Sequence, residues 1–487
     1  MQVPTRISLQ SNLGTLRYIG PLPIWPNVDA YGIEWDDATR GKHSGTYDGV
    51  EYFQTVVPDS ASFIKSTRKL DRKVGFEEAV RSRYAPAELD EIEKTDIVFG
   101  KKVAERVGFD KIRIRQSKLD QLSMVSLDGQ CVAYPSDNLE QLFPSIQELD
   151  LSHNLFDSLA DVARIVVQLP RLRIIKLNGN RFVSWELPPD LTGAFSSLSV
   201  VSLSFTLIPP SVISRMPEIF PAVQECSLAE NKLSGSEITF NQPWPSLQIL
   251  DLSYSDFSTV PVLVFPDDAD MSLSVLNLSH NRILGAGADV MKSVRSLDLR
   301  HNQITSWTAL DGLRAQFPGV RDLRLQWNPI IQSLDEDDVQ AYILGWWGGL
   351  TMVNSIKVSE KERMSSELYF MSKVGKGQIK DFDLKGQRWA ELCETYGAPI
   401  APEEVKKKST VLKITFVTSS GEETRRVPRG LTVQRLKLLV AKWYRIPVAK
   451  INLVSVFSDG REIALDDSLR ELDYYEIDDG SVIRVQG

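Results

Sequence analysis

The sequence predicts a multidomain α+β protein, in which a small β-barrel, a solenoid of short parallel strands and a compact strand-and-helix unit follow one another along 487 residues. Three observations predict this order. Residues 8–68 are dense in glycine and aromatics, a phrase with a fixed apolar template recurs through the middle, and residues 410–487 alternate like a hairpin before turning amphipathic with helical period.

Composition bounds the class. With 42% hydrophobic and 25% charged residues the chain is ordinary globular material, and its length suggests about three domains. Cys131, Cys226 and Cys393 lie too far apart in sequence for a disulfide framework or a paired zinc site, which favours a reducing, cytoplasmic home. The start, MQVPTRISLQSNLG, lacks a signal-peptide core, and no apolar run reaches membrane-spanning length, so no membrane partner is expected. A net charge of -8 argues against nucleic acid as a main partner, because phosphate contacts call for a basic surface.

In the first domain, residues 8–68, short β-rich runs (Thr15 to Ile19, Tyr31 to Trp35, Val50 to Gln54) are separated by Gly, Pro and Asp. They frame a loop, Gly41-Lys42-His43-Ser44-Gly45, between the aromatic strand Tyr31-Gly-Ile-Glu-Trp35-Asp and a second run ending Tyr52-Phe53. Gly41 and Gly45 would let the loop pass close to a peptide and expose its amides, Lys42 supplies a cation for carboxylates, and Tyr31, Trp35, Tyr52 and Phe53 wall an aromatic slot. The same rings at strand positions are equally suited to a barrel core. The arrangement resembles a CAP-Gly domain, whose usual loop reads G-K-N-D-G. The resemblance implies binding of acidic C-terminal tails that end in an aromatic residue, above all that of α-tubulin, at Tyr31, Trp35, Gly41 to Gly45, Tyr52 and Phe53. Here His43-Ser44 replaces Asn-Asp, and Ala61-Ser62 replaces the glycine expected ahead of Phe63.

Residues 69–117 read as a connector and N-terminal cap. A basic run from Lys65 to Lys73 reads as a solvated face; after it Phe76, Val80 and Tyr84 fall at helical spacing and Pro86 stops the element. The stretch from Asp96 onward is expected to cover the first repeat, since an end repeat has only one neighbour.

Residues 118–332 carry the repeats. The template L-x-x-L-x-L-x-x-N-x-L places its ninth position at Gln130, Asn154, Asn180, Thr206, Asn231, Ser255, Asn281, Asn302 and Asn328, which by subtraction lie 21 to 26 residues apart. Nine units at this period identify a leucine-rich-repeat solenoid, with the Asn serving backbone groups at a turn and not catalysis. Gln130, Thr206 and Ser255 keep a polar side chain that replaces part of this bonding. Functional side chains are expected on the strand positions that face outward: Asp150, Lys176, Asp251, Asp298 and Arg324 at position five, with Tyr254 and Trp327 among the aromatics at position eight. His153, His280 and His301 share that eighth position in repeats mostly well apart, so no metal is expected.

Residues 333–400 should cap the array, with a helix carrying Met364, Leu368, Tyr369 and Met371 and with Trp346 and Trp347 in its core. Residues 401–409 form a charged linker. In residues 410–487 the alternation of VLKITFVTSSGEETRRVPRG, an amphipathic helix with Leu436, Leu439, Val440 and Trp443 on one side, and later strands describe a ubiquitin-like β-grasp. The sequence ends at Gln486-Gly487 without a flexible diglycine tail, so docking is expected and conjugation is not.

The order CAP-Gly barrel, leucine-rich-repeat solenoid, ubiquitin-like β-grasp, together with N-S-I-K-V-S-x-K-E-R-x-x-x-E-L-Y-F after the array, is similar to the tubulin-folding cofactor E family. That resemblance implies a cytoplasmic, cytoskeleton-associated chaperone that receives α-tubulin by tail and body, works with cofactors B, C and D and β-tubulin, and promotes assembly and dissociation of the heterodimer, with the proteasome as a further partner of the ubiquitin-like end. No cofactor is expected: the chain has neither a G-x-x-x-x-G-K-[ST] phosphate loop nor a G-x-S-x-G elbow, and it reads as a non-enzyme. Two alternatives are a microtubule-associated CAP-Gly adaptor and a ubiquitin-pathway shuttle.

Overall fold

A computed structural model of the chain describes residues 3–85, 98–99, 102–103, 119–235, 237–266, 272–332, 334–399, 410–457 and 460–486. It divides into two compact units, residues 1–374 with 379–397, and residues 375–378 with 398–487.

The first unit opens with a four-stranded antiparallel sheet: β1 (Thr5–Leu9), β2 (Asn12–Gly20) and β3 (Ala30–Trp35), a hairpin of β4 (Thr46–Tyr47) and β5 (Val50–Glu51), and β6 (Ala61–Lys65), in the order β1-β2-β3-β6. Register sorts the faces, because residues directly opposite one another share a side of the sheet. Ile19, Tyr31 and Ile64 align on one face; Tyr18, Gly32 and Phe63 align on the other. The first face buries Ile7, Leu9, Leu16, Ile33 and Trp35.

Sequence order suggested a barrel hung on the rod as a separate module. The structure instead seats it against the repeats within one compact unit. Asp157 of the rod accepts the Thr5 hydroxyl at 2.8 Å and lies 3.4 Å from the Lys73 ammonium, which draws the end of the basic run out of solvent. Arg6, fully buried, grips the Asp36 carboxylate, and Arg181 of the rod donates to the main-chain oxygens of Trp35 at 3.3 Å and Asp36 at 2.8 Å. An arginine in this position satisfies buried carbonyls that no regular strand reaches.

The repeat strands form a parallel ladder. Among the described residues the sheet has eleven strands: nine from the repeats, then Met352–Val353 in parallel and Ile356–Lys357 folded back against it. Each central strand residue is buried, and the core runs without a break from Phe76 to Leu392. Its start is closed by α1 (Phe76–Tyr84), whose Phe76 ring meets Phe143 at 6.0 Å and whose Tyr84 hydroxyl accepts the Ser126 amide at 2.8 Å. Among the described residues α1 covers the first repeat; most of the stretch expected to cap it, from residue 96 to 118, lies outside them.

The asparagines act as the template requires. Asn302 accepts the Ile283 amide at 2.9 Å and donates to the oxygens of Leu278 and Leu299 at 2.9 and 3.1 Å, so one side chain ties two repeats. Thr206 and Ser255 take over part of this bonding, with their hydroxyls on the oxygens of Leu203 and Ser253. Gln130 does not: its side chain stays exposed and meets only the Asp128 oxygen at 3.2 Å. At the far end Asn354 accepts the Leu325 amide at 2.9 Å and extends the ladder into the cap.

The cap holds helices Glu336–Trp346, Glu360–Gly375 and Gln387–Tyr396. Trp346 and Trp347 are core, as expected, and Met371 faces in. Met364 and Leu368 do not; they are exposed. The buried stripe of that helix is Glu367, Phe370, Met371 and Val374, and it contains a charge because Arg388 meets Glu367 at 2.6 Å while the Tyr396 hydroxyl donates to it at 2.8 Å.

In the second unit, strands Val411–Thr418, Gly421–Pro428, Asn452–Val456, Glu462–Ala464 and Val482–Gln486 form one mixed sheet. The first and last lie parallel at its centre, and helix Val433–Tyr444 buries Val433, Leu436 and Val440 against it. This is the β-grasp of a ubiquitin-like domain. The linker 401–409 lies outside the described residues.

Candidate functional site

The glycine loop leaves the 3-10 turn Ala38–Arg40 and is held by backbone pairing to β6. The Lys42 amide donates to the Ala61 oxygen at 2.7 Å, and the His43 oxygen accepts the Ala61 amide at 2.9 Å. The Gly41 amide goes to Ala38, the His43 amide to Ala61 at 3.3 Å, and the Gly45 amide to His43 Nδ1 at 3.1 Å. These four loop amides are spent on β6, the turn and the loop itself and are not offered to a ligand. The two glycines have the same internal cause: a Cβ on Gly41 would stand 1.9 Å from the Asp59 oxygen, and one on Gly45, at φ 99, would stand 1.9 Å from the Phe53 oxygen.

What the loop presents is side chain. Lys42 is exposed, and among the described residues no carboxylate comes within ion-pair distance of it. Ser44 is tied to Asp59, whose amide donates to its hydroxyl at 2.9 Å. His43 stacks on Phe63 with centroids 4.7 Å apart, and burial pushes its pKa below the ordinary value of 6.5 against an opposing pull from Asp59.

The aromatics divide differently from the slot expected. Trp35 is 3% exposed and Tyr31 packs on the same core, so both belong to the first face of the sheet. Tyr52 and Phe53 lie on the opposite face, each 5.6 Å from the Phe63 ring. Phe63 is the hub: Tyr18, His43 and Tyr47 also surround it, and Gly32 below leaves the space that the Phe53 ring occupies. Beside the hub runs a groove of about 400 Å³ whose lining includes Trp25, Trp35, Arg40, Lys42, His43, Tyr47 and Phe63. Arg40 lies over the Trp35 ring at 5.0 Å. Reading the sequence did not single out Phe63, Tyr18, Trp25 or Arg40 as site residues; alternation on β6 and β2 carried the signal for the first two, but only once the register was fixed.

On the repeats, the eighth position adopts left-handed backbone from His153 to Trp327, and four successive rings stack there: Tyr254 on His280 at 4.1 Å, His280 on His301 at 4.1 Å, His301 on Trp327 at 5.5 Å. Tyr254 and Trp327 end the stack and are 49% and 63% exposed. The position-five carboxylates are partly committed to the fold. Asp150, Asp251 and Asp298 each accept the amide two residues on, and Asp298, 6% exposed, also holds Arg300 at 2.7 Å and lies 3.6 Å from Arg324. Lys176 pairs with Glu148 at 2.6 Å.

Comparison with known proteins bears on the whole chain. Residues 3–69 match the CAP-Gly domain family, and residues 269–292 and 290–306 match the Leucine Rich repeat family. The chain is 26% identical over 509 residues to Protein PAC2 of Saccharomyces cerevisiae, covering 99% of this chain and 96% of that one. It is 28% identical over 518 residues to tubulin-specific chaperone E of Xenopus laevis, covering 99% and 98%. Over its full length the chain is similar to tubulin-specific chaperone E. Among solved structures, the C-terminal ubiquitin-like domain of mouse tubulin-specific chaperone e shares 25% identity with a TM-score of 0.15, covering 17% of this chain and 91% of that domain. Among the described residues no helix is long and apolar enough to cross a membrane.

Proposed function

We propose that this chain is a tubulin-folding cofactor: it binds α-tubulin and, with partner cofactors, promotes assembly and dissociation of the α/β heterodimer in the cytoplasm. The observation that carries the reading is similarity to tubulin-specific chaperone E over 99% of this chain and 98% of the relative, spanning barrel, repeats and β-grasp at once. The geometry supports a division of labour. The uncommitted Lys42 beside a groove lined with aromatics suits a chain end that carries both carboxylates and a ring, the acidic α-tubulin tail. The repeat face, with Tyr254 and Trp327 at the ends of its ring stack, takes the folded body of the same client. The ubiquitin-like unit recruits a further partner, cofactor B or the proteasome, while cofactors C and D bring β-tubulin. No step needs a catalytic residue: a first contact raises the effective concentration for the next, and binding energy spread over the modules does the work. Pull-down of intact and tail-less α-tubulin tests the reading. Binding undiminished by loss of the tail removes the role of the loop, and heterodimer unaffected by the full chain with or without cofactor B removes the chaperone reading itself.

A further inference from the structure

The groove beside Phe63 does not stop at the barrel. Arg40 lines both that groove and a second cavity of about 500 Å³, where the barrel segments Ser11 to Leu13 and Asp36 to Arg40 face His153, Arg181, Phe205 and Lys232 of the rod. Lys232 in turn lines a still larger cleft between barrel and repeats. The three hollows thus share wall residues in sequence, and two of those are the exposed cations Arg40 and Lys232.

We propose that this junction is a second binding site for an acidic peptide, continuous with the loop groove. The proposal rests on the reading of the loop as a tail site and extends it to the residues that precede the chain end.

Charge supports it. Among the described residues Arg40 and Lys232 have no carboxylate within ion-pair distance, and neither do Lys42 and Arg68 of the first groove. Of the two carboxylates lining the second cavity, Asp36 is neutralised by arginine, while Asp37 is held by its own turn and keeps its charge, one anion against Arg40, Arg181 and Lys232. Asp36 is held by Arg6 and lies 3.7 Å from Arg181, and Asp37 accepts the Thr39 amide at 3.0 Å and hydroxyl at 2.7 Å. Arg181, buried at the cavity wall, keeps an Nε without an acceptor. The spent loop amides point the same way: carboxylates of a ligand have to be met by side chains, and Arg40 and Lys232 are the free ones that continue the path from Lys42. An extended, multiply acidic segment fits that row of point charges, whereas a compact anion would fill only one hollow.

The test uses the full chain and two synthetic peptides with the same free C-terminal tyrosine: a short one of about four residues and a glutamate-rich one of about fifteen, reaching ~50 Å when extended. Affinities by fluorescence anisotropy should favour the long peptide. Lys232→Glu should weaken the long peptide about tenfold and leave the short one within about twofold, while Lys42→Ala weakens both. Equal affinities that do not respond to Lys232→Glu would overturn the junction site and leave the loop site standing. Binding of neither peptide would overturn both. Lys232 is exposed, so the variant should keep its melting profile, which circular dichroism checks.

Discussion

Arg181 donates through Nη2 to the main-chain oxygen of Asp36 at 2.8 Å, across 145 residues of sequence. Asp36 immediately precedes Asp37, the cap of the turn that launches the glycine loop, so a side chain of the rod sets where the loop begins. The same guanidinium lies 4.9 Å over the Phe205 ring of a neighbouring repeat. The loop is therefore fixed with respect to the repeats that flank it, and its partner meets one composite surface.

Arg181→Ala should loosen that seat. It removes two charge-assisted hydrogen bonds at a buried position, a loss of about 2–3 kcal/mol. Denaturant unfolding should change from a single transition to a broadened or two-step one, with the barrel parting first. A short acidic peptide should still bind, since Lys42 and the Phe63 hub lie within the barrel.

Lys42→Ala should separate binding from stability. The side chain is exposed and without an ion-pair partner among the described residues, so the melting temperature should hold while affinity for an acidic peptide drops about tenfold. Titration calorimetry beside a melting curve checks both halves.

His43 should make the loop acid-sensitive. Burial lowers its folded pKa below 6.5, so the folded state prefers the neutral ring, and the Gly45 amide needs Nδ1 as an acceptor. The unfolded chain takes up the proton first. The stabilisation is thus present above about pH 6.5 and is lost as pH falls below it. An NMR titration should place the His43 midpoint below 6.5, and Asp59→Asn should move it lower still, because Asp59 is the group that pulls it upward.

Asn302→Ala should cost about 1–3 kcal/mol, since it strands the Ile283 amide in a dry interior, while the oxygens of Leu278 and Leu299 keep the side-chain amides of Asn281 and Asn328. Gln130→Ala, at the equivalent place in the first repeat, should stay within about 0.5 kcal/mol because its side chain is solvated. Urea midpoints of the two variants give the comparison.

Local spacing explains what was legible in the sequence. The ninth-position asparagines and the helix face with Leu436, Val440 and Trp443 are each written within a few residues of one another and fold as read, whereas Leu439 stays outside the buried stripe and the loop between Gly41 and Gly45 turns its amides inward. What failed depends on distance or on pairing. Trp35 and Tyr31 were grouped with Tyr52 and Phe53 because all are aromatic, but the alignment of Gly32 with Phe63 sends them to opposite faces. Met364 and Leu368 looked like core because the true stripe contains Glu367, whose burial is permitted only by Arg388 on another helix. The seat of the barrel on Asp157 and Arg181 left no local mark, since it joins residues more than a hundred positions apart.

The direction of the asparagine ladder has a consequence for synthesis. Asn154 takes the Val132 amide, Asn231 the Thr206 amide and Asn328 the Ile304 amide, so each turn of the rod is tied off by the one translated after it. A repeat emerging from the ribosome stays open until its successor arrives, and the barrel waits through the 145 residues that separate Asp36 from Arg181. At roughly 5–20 residues per second that is on the order of ten to thirty seconds in which the nascent loop is exposed without its seat. During that interval the nascent barrel could meet an acidic tail only with its own cations, and the longer grip comes into being when the repeats close behind it.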